Sequence, residues 1–248
     1  MTARPIDDSQ RKAARVAGAA SLIAIVAVVS VQFGITARLM VAGNAAETAR
    51  NIVAHETLFR IAIVGDLVYC AASFVLLSAL YVVLKPVNPS LSFLAACCRL
   101  VYTLTWFFMT IDHFSALRLL KGEDYRRALG ADGVQTLARL YLSGLDAYYV
   151  GLVFYALAAA TCGWLWFRSG YIPRVLGASA AVSSLWCLAC AIAFLIYPDF
   201  AKVVNPWWFD SPMAVAELTI SLWLLFKGLG SGEADVDTVA ARGRKFAV

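Results

Sequence analysis

Six apolar stretches of about 20 residues, broken by short polar turns, constrain this chain more than any other feature. Each has the length an α-helix needs to cross a hydrocarbon core of about 30 Å. They run from Val16 to Ile35, Ile61 to Leu84, Leu91 to Phe114, Tyr148 to Phe167, Val175 to Tyr197 and Pro212 to Leu229. The composition agrees. Apolar residues make up 61% of the 248 positions and charged residues 15%, and the mean hydropathy is +0.74. Soluble domains sit near 45–50% and about 25%. The runs are continuous and do not alternate, which excludes a transmembrane barrel. The predicted fold is all-α, a polytopic membrane protein of six transmembrane helices.

The segments between the runs complete the expected layout. Residues 1–15 form a basic N-terminal segment, 16–229 the six-helix domain, and 230–248 a polar tail without apolar periodicity, expected to be disordered. The first run is too long for a secretory signal and is followed by further spans, so it reads as an uncleaved anchor. Short interfacial helices are expected after spans one and three. The first opens at the capping-box pattern Asn44-Ala-Ala-Glu47, and the second lies within Lys121–Leu145 with an N-cap at Asp132. Spans two and three form a hairpin about Lys85-Pro86-Val87-Asn88-Pro89, because proline cannot continue a helix. Trp207, Trp208 and Phe209 form an aromatic cluster of the kind found at a membrane–water interface. Ala17, Ser21 and Ala24, and likewise Gly177-x-x-x-Ala181, supply small-residue faces for close helix approach.

Lysine and arginine near the span ends set the threading. One side holds Arg4, Arg11, Lys12, Arg15, Lys85, Arg168, Arg174, Lys227, Arg242, Arg244 and Lys245; the other holds fewer, chiefly Arg126, Arg127 and Arg139. Both termini are therefore expected in the cytoplasm. The net charge of +5 comes without a basic, aromatic-interleaved soluble face, so membrane lipids and not nucleic acid are the expected partners. All six cysteines fall within the spans, where a thiol acts as a small apolar filler. Neither GxSxG nor HExxH occurs, and no cofactor motif is present.

The informative residues are the ionisable ones inside the runs, because a charge in hydrocarbon persists only where it is paired or used. Counting depth along each helix places Arg60, Asp66, Asp112, His113, Asp146 and Glu217 in the outer half, with Glu217 about one and a half turns into span six from Pro212. Two readings follow. In one, these groups hold the helices together; in the other, Arg60, Asp66, Asp112, His113 and Glu217 line an outward-facing polar cavity that binds a small polar or amphiphilic ligand. A metal-dependent lipid hydrolase and a helper subunit of a larger complex are the alternatives. Arg99, about two turns in from the cytoplasmic side, finds no carboxylate at its depth on this count. It is expected to snorkel, to bond helix carbonyls or hydroxyls, or to meet an anionic headgroup of the inner leaflet.

Several phrases occur together in order: Leu58-Phe59-Arg60, Asp66-Leu67, Leu84-Lys85-Pro86-Val87-Asn88, Leu94-Ala-Ala-Cys-Cys-Arg99-Leu100, Gly151-Leu-Val-Phe154, Arg168-Ser-Gly-Tyr-Ile-Pro-Arg174 with Leu176-Gly177, and Ala216-Glu217-Leu218 leading to Lys227-Gly228. With these the chain resembles the bacterial domain of unknown function 4386 family from about Ala14 to Leu229. The resemblance implies a six-helix bacterial inner-membrane protein and supplies no activity, substrate or catalytic residue. Arg60, Asp66, Arg99 and Glu217 lie within the shared phrases; Asp112 and His113 do not.

Overall fold

The computed structural model of the protein describes residues 6–41, 44–197, 199–205 and 207–230. The expected tail beyond Gly230 lies outside the described residues. The helices are α1 (Asp8–Val29), which continues through a π-helical stretch Ser30–Thr36 into α2 (Ala37–Leu39), then α3 (Ala45–Ala54), α4 (Glu56–Leu84), α5 (Pro89–Lys121), α6 (Glu123–Ser143), α7 (Leu145–Ser169), α8 (Arg174–Ile196), α9 (Phe200–Val203) and α10 (Trp207–Phe226). Six of these segments are long and apolar enough to cross a membrane: α1 with its continuation, α4, α5, α7, α8 and α10. The protein is a multi-pass helical membrane protein.

Local chemistry sets the helix ends. Asp7 Oδ1 accepts the Gln10 backbone N–H at 2.7 Å and Gln10 Oε1 accepts the Asp7 N–H at 3.2 Å, a reciprocal cap. The first span therefore starts at Asp8, and Arg11, Lys12 and Arg15 are already helical. Asn44 and Asn88 cap α3 and α5 through the N–H groups of Glu47 and Leu91, and Pro89 occupies the first turn of α5, where its missing N–H costs nothing. In α6 the break falls at Gly130 (φ 71°, ψ 169°), two residues before the cap expected at Asp132, because only glycine enters that backbone region freely.

Each span packs against its neighbours in the chain, and α10 closes against α1, so the six form a ring in sequence order. Small residues draw the joints tight. A Cβ on Gly163 would lie 2.5 Å from the Ala181 nitrogen, and one on Gly177 would lie 2.6 Å from the Phe167 nitrogen, so α7 and α8 touch backbone to backbone. Gly18 does the same for α1 against Ser221 and Leu225 of α10. One end of the ring, here the terminal face, carries the start of α1 and the end of α10. There Gln10 donates to the Val83 carbonyl at 3.2 Å and contacts Tyr171, and the Gly230 N–H donates to the Tyr171 carbonyl at 2.9 Å. At the opposite loop face, α3 and α6 pack on each other and on α5, over a buried cluster that includes Ile52, Phe59, Leu117 and Val134.

Candidate functional site

On α5, Arg99, Tyr102, Trp106, Met109 and His113 follow one another at intervals of three and four residues, so they share one helix face. That face points into the ring. Tyr69 and Ser73 of α4, Tyr148 and Tyr155 of α7, and Asp210 and Glu217 of α10 meet it there, around a cavity of about 890 Å³. The walls are mainly apolar and aromatic, with a few placed polar groups, as in small-molecule sites of this size. Tyr102 packs on Tyr155 at a ring separation of 4.5 Å and edge-on to Trp106 at 6.5 Å.

The centre of the wall is an ion pair. Both Arg99 Nη atoms donate to Glu217 Oε1, and the guanidinium carbon lies 5.0 Å from the Tyr155 ring centre. The expectation that Arg99 has no carboxylate at its depth is therefore wrong, and the cause is the start of α10. This helix begins at Trp207, five residues before Pro212, so Glu217 lies ten residues in from the loop face, not one and a half turns. Arg99 lies ten residues beyond Pro89, counted from the terminal face. At 1.5 Å per residue each is about 15 Å deep, the middle of a core of about 30 Å. Coming from opposite ends, they meet at the midplane. Ser221 Oγ sits 2.7 Å from both the Glu217 carbonyl oxygen and Ser21 Oγ, which ties this turn of α10 to α1.

The other predicted residues separate. Asp66 is 1% exposed, with Oδ2 3.5 Å from His113 Nδ1, and its Oδ1 has no hydrogen-bond partner among the described residues. The pair joins α4 to α5. His113 reaches the cavity wall, whereas Asp66 stands behind it. Arg60 is exposed; it pairs with Glu56 one turn earlier at 2.8 Å and lies over the Phe114 ring, away from the cavity. Its register on α4 turns it outward, so depth alone misplaces it. Asp112 is half-buried and does not line the cavity, since it precedes His113 and projects about 100° around the helix from it. The side chain of Asp146 lies outside the described residues. Among the described residues, no three His, Cys, Asp or Glu side chains converge as metal ligands.

Sequence reasoning missed the aromatic wall and Asp210, whose Oδ2 accepts the Tyr148 hydroxyl at 3.0 Å. The three-and-four spacing along α5 was the signal for the former. It stays hidden when every face of a helix is apolar and aromatic residues pass for lipid-facing ones.

A family model described as Domain of unknown function (DUF4386) matches residues 16–228. The chain belongs to this family. No curated protein and no solved structure matches it. Family membership accounts for an integral membrane protein and assigns it no activity. Within the matched span lie Arg99, Glu217 and the whole aromatic wall.

Proposed function

We propose that this family member is a non-enzymatic protein of the bacterial cytoplasmic membrane, with both termini cytoplasmic. In this reading its cavity faces outward and binds a small polar or amphiphilic ligand, to sense it or move it. The observation that carries the reading is the cavity of about 890 Å³ with an arginine–carboxylate pair in its wall at mid-membrane depth. Ion pairs that serve only to join helices need no space beside them, and native interiors leave few voids larger than a water molecule. The orientation rests on Arg11, Lys12, Arg15, Lys85, Arg168, Arg174 and Lys227, which gather at the terminal face.

The test is thermal unfolding of the purified full chain across a panel of amphiphiles with anionic, zwitterionic and cationic heads. A ligand at a hundred times its dissociation constant adds about 2.7 kcal/mol of stability. The expected result is a concentration-dependent rise in Tm for one head class, abolished in the double variant Arg99→Gln/Glu217→Gln while basal unfolding stays cooperative. A panel without any shift, or one equally active on the double variant, removes the ligand site.

A further inference from the structure

The first and sixth spans share a buried cluster only near the terminal face, where Ala14, Ala17 and Ala20 meet Ile220 and Leu224. The Ser21–Ser221 contact marks its upper limit. Beyond it the two helices take different partners. Ala24 joins Tyr69, Tyr102 and Trp106 of α4 and α5, while Phe209 and Met213 join Tyr149, Leu152 and Cys187 of α7 and α8. The residues left between them, Ile25 and Val29 of α1 and Val215 and Leu218 of α10, line the cavity. Val29 is 47% exposed and Val215 is 62% exposed, so they edge the cavity without sealing it. The backbone at this edge is the π-helical stretch Ser30–Thr36, a conformation that concentrates at functional sites.

We propose that this seam between the first and sixth spans is a lateral portal, through which a single-chain amphiphile with an anionic head enters the cavity from the bilayer. The inference rests on the cavity being a ligand site. Three observations select the occupant. The seam lies at hydrocarbon depth and is edged by valine, isoleucine and leucine, a surface that an acyl chain crosses without losing hydration. At the loop face α3 and α6 form part of the cavity wall, through Ala45, Ala49, Gln135, Ala138, Arg139 and Leu142, so the outward mouth is narrowed and carries polar side chains, which leaves the seam as the apolar way in. The deep wall carries a buried guanidinium whose hydrogen-bond donors are not all engaged. Arg99 carries five N–H groups, more than Glu217 Oε1 engages. A carboxylate or phosphate head supplies the acceptors.

The full chain in nanodiscs of zwitterionic lipid, titrated with nitroxide-labelled stearate, its methyl ester and labelled lysophosphatidate, tests this by electron spin resonance. An immobilised, saturable fraction is expected for the anionic probes, with the ester about tenfold weaker, a difference of about 1.4 kcal/mol. Whichever anion binds more tightly identifies the head as carboxylate or phosphate. The double variant Val29→Trp/Val215→Trp narrows the seam at lipid-facing positions, and there exchange is expected to slow several-fold. The control Val182→Trp, on the outer face of α8, leaves exchange unchanged. Saturable binding with unaltered exchange in the double variant overturns the portal and leaves the cavity reading intact. Ester binding as tight as the acid overturns the anionic head. Absence of a saturable fraction for all three probes on folded protein overturns the portal and its anionic occupant, and the thermal-unfolding panel decides separately whether the cavity binds a ligand of another head class.

Discussion

Arg99 and Glu217 hold each other at the one depth where neither reaches a headgroup. A lone charged side chain at the bilayer centre costs about 2.5–3.5 kcal/mol on insertion scales, and the pair removes most of that cost while holding α5 to α10. Breaking such a pair from one side leaves an uncompensated charge. Arg99→Gln or Glu217→Gln is expected to lower stability by about 3 kcal/mol each, and the double variant to lose much less than their sum. Chemical unfolding in one detergent, run as a double-mutant cycle, measures the difference; additive losses would mean that the contact contributes nothing. The residue types are legible from sequence, because any charge inside an apolar run demands a partner. The partner is not legible. Counting depth leaves Arg99 without one, because α10 starts five residues before Pro212, and groups Arg60 with the cavity, because depth along a helix says nothing about which way a side chain faces.

Among the helices, α10 shows why one boundary escaped detection. Proline usually marks a helix start, and Pro212 reads as one, yet the helix runs five residues further toward the loop face. Pro212 has no N–H to give the carbonyl four residues back, which is that of Trp208. The Trp186 indole of α8 donates to this oxygen at 3.3 Å. The indole satisfies the one carbonyl that Pro212 leaves open in the first turns of α10. Trp186→Phe is expected to destabilise the protein by about 1–3 kcal/mol. In a Pro212→Ala background, where the backbone regains the missing N–H, the loss should shrink to the packing term alone. Equal losses in both backgrounds, by denaturant unfolding, would show that the indole bond is idle. By contrast, the starts of α3 and α5 are readable, since Asn44 and Asn88 cap through atoms within three residues of themselves.

As a whole, the molecule is a ring of six spans in chain order, so sequence neighbours are spatial neighbours and only α1 with α10 must find each other across the chain. The proposed threading rests on the charge asymmetry of its two faces. Reporter fusions in the Lys121–Leu145 segment and after Val248 are expected to report opposite sides of the membrane, the second cytoplasmic; reporters on one side would contradict an odd number of spans between them. The ring also explains the cavity. Each helix buries a narrow strip against two neighbours, and the aromatic stripe of α5 lines the space left at the centre.

What the sequence determined alone was the solvent, the number of crossings and the Asn44 cap of α3. Hydrocarbon demands about 20 apolar residues per crossing and every backbone hydrogen bond closed within the helix, and both requirements are local. The azimuth of each helix was decided only by tertiary structure. When nearly every side chain is apolar, no polar face marks which side turns inward. Small-residue contacts such as Gly18 on Ser221 and Gly163 on Ala181 fix the rotations, and these bring Arg99 to Glu217 and open the space beside them.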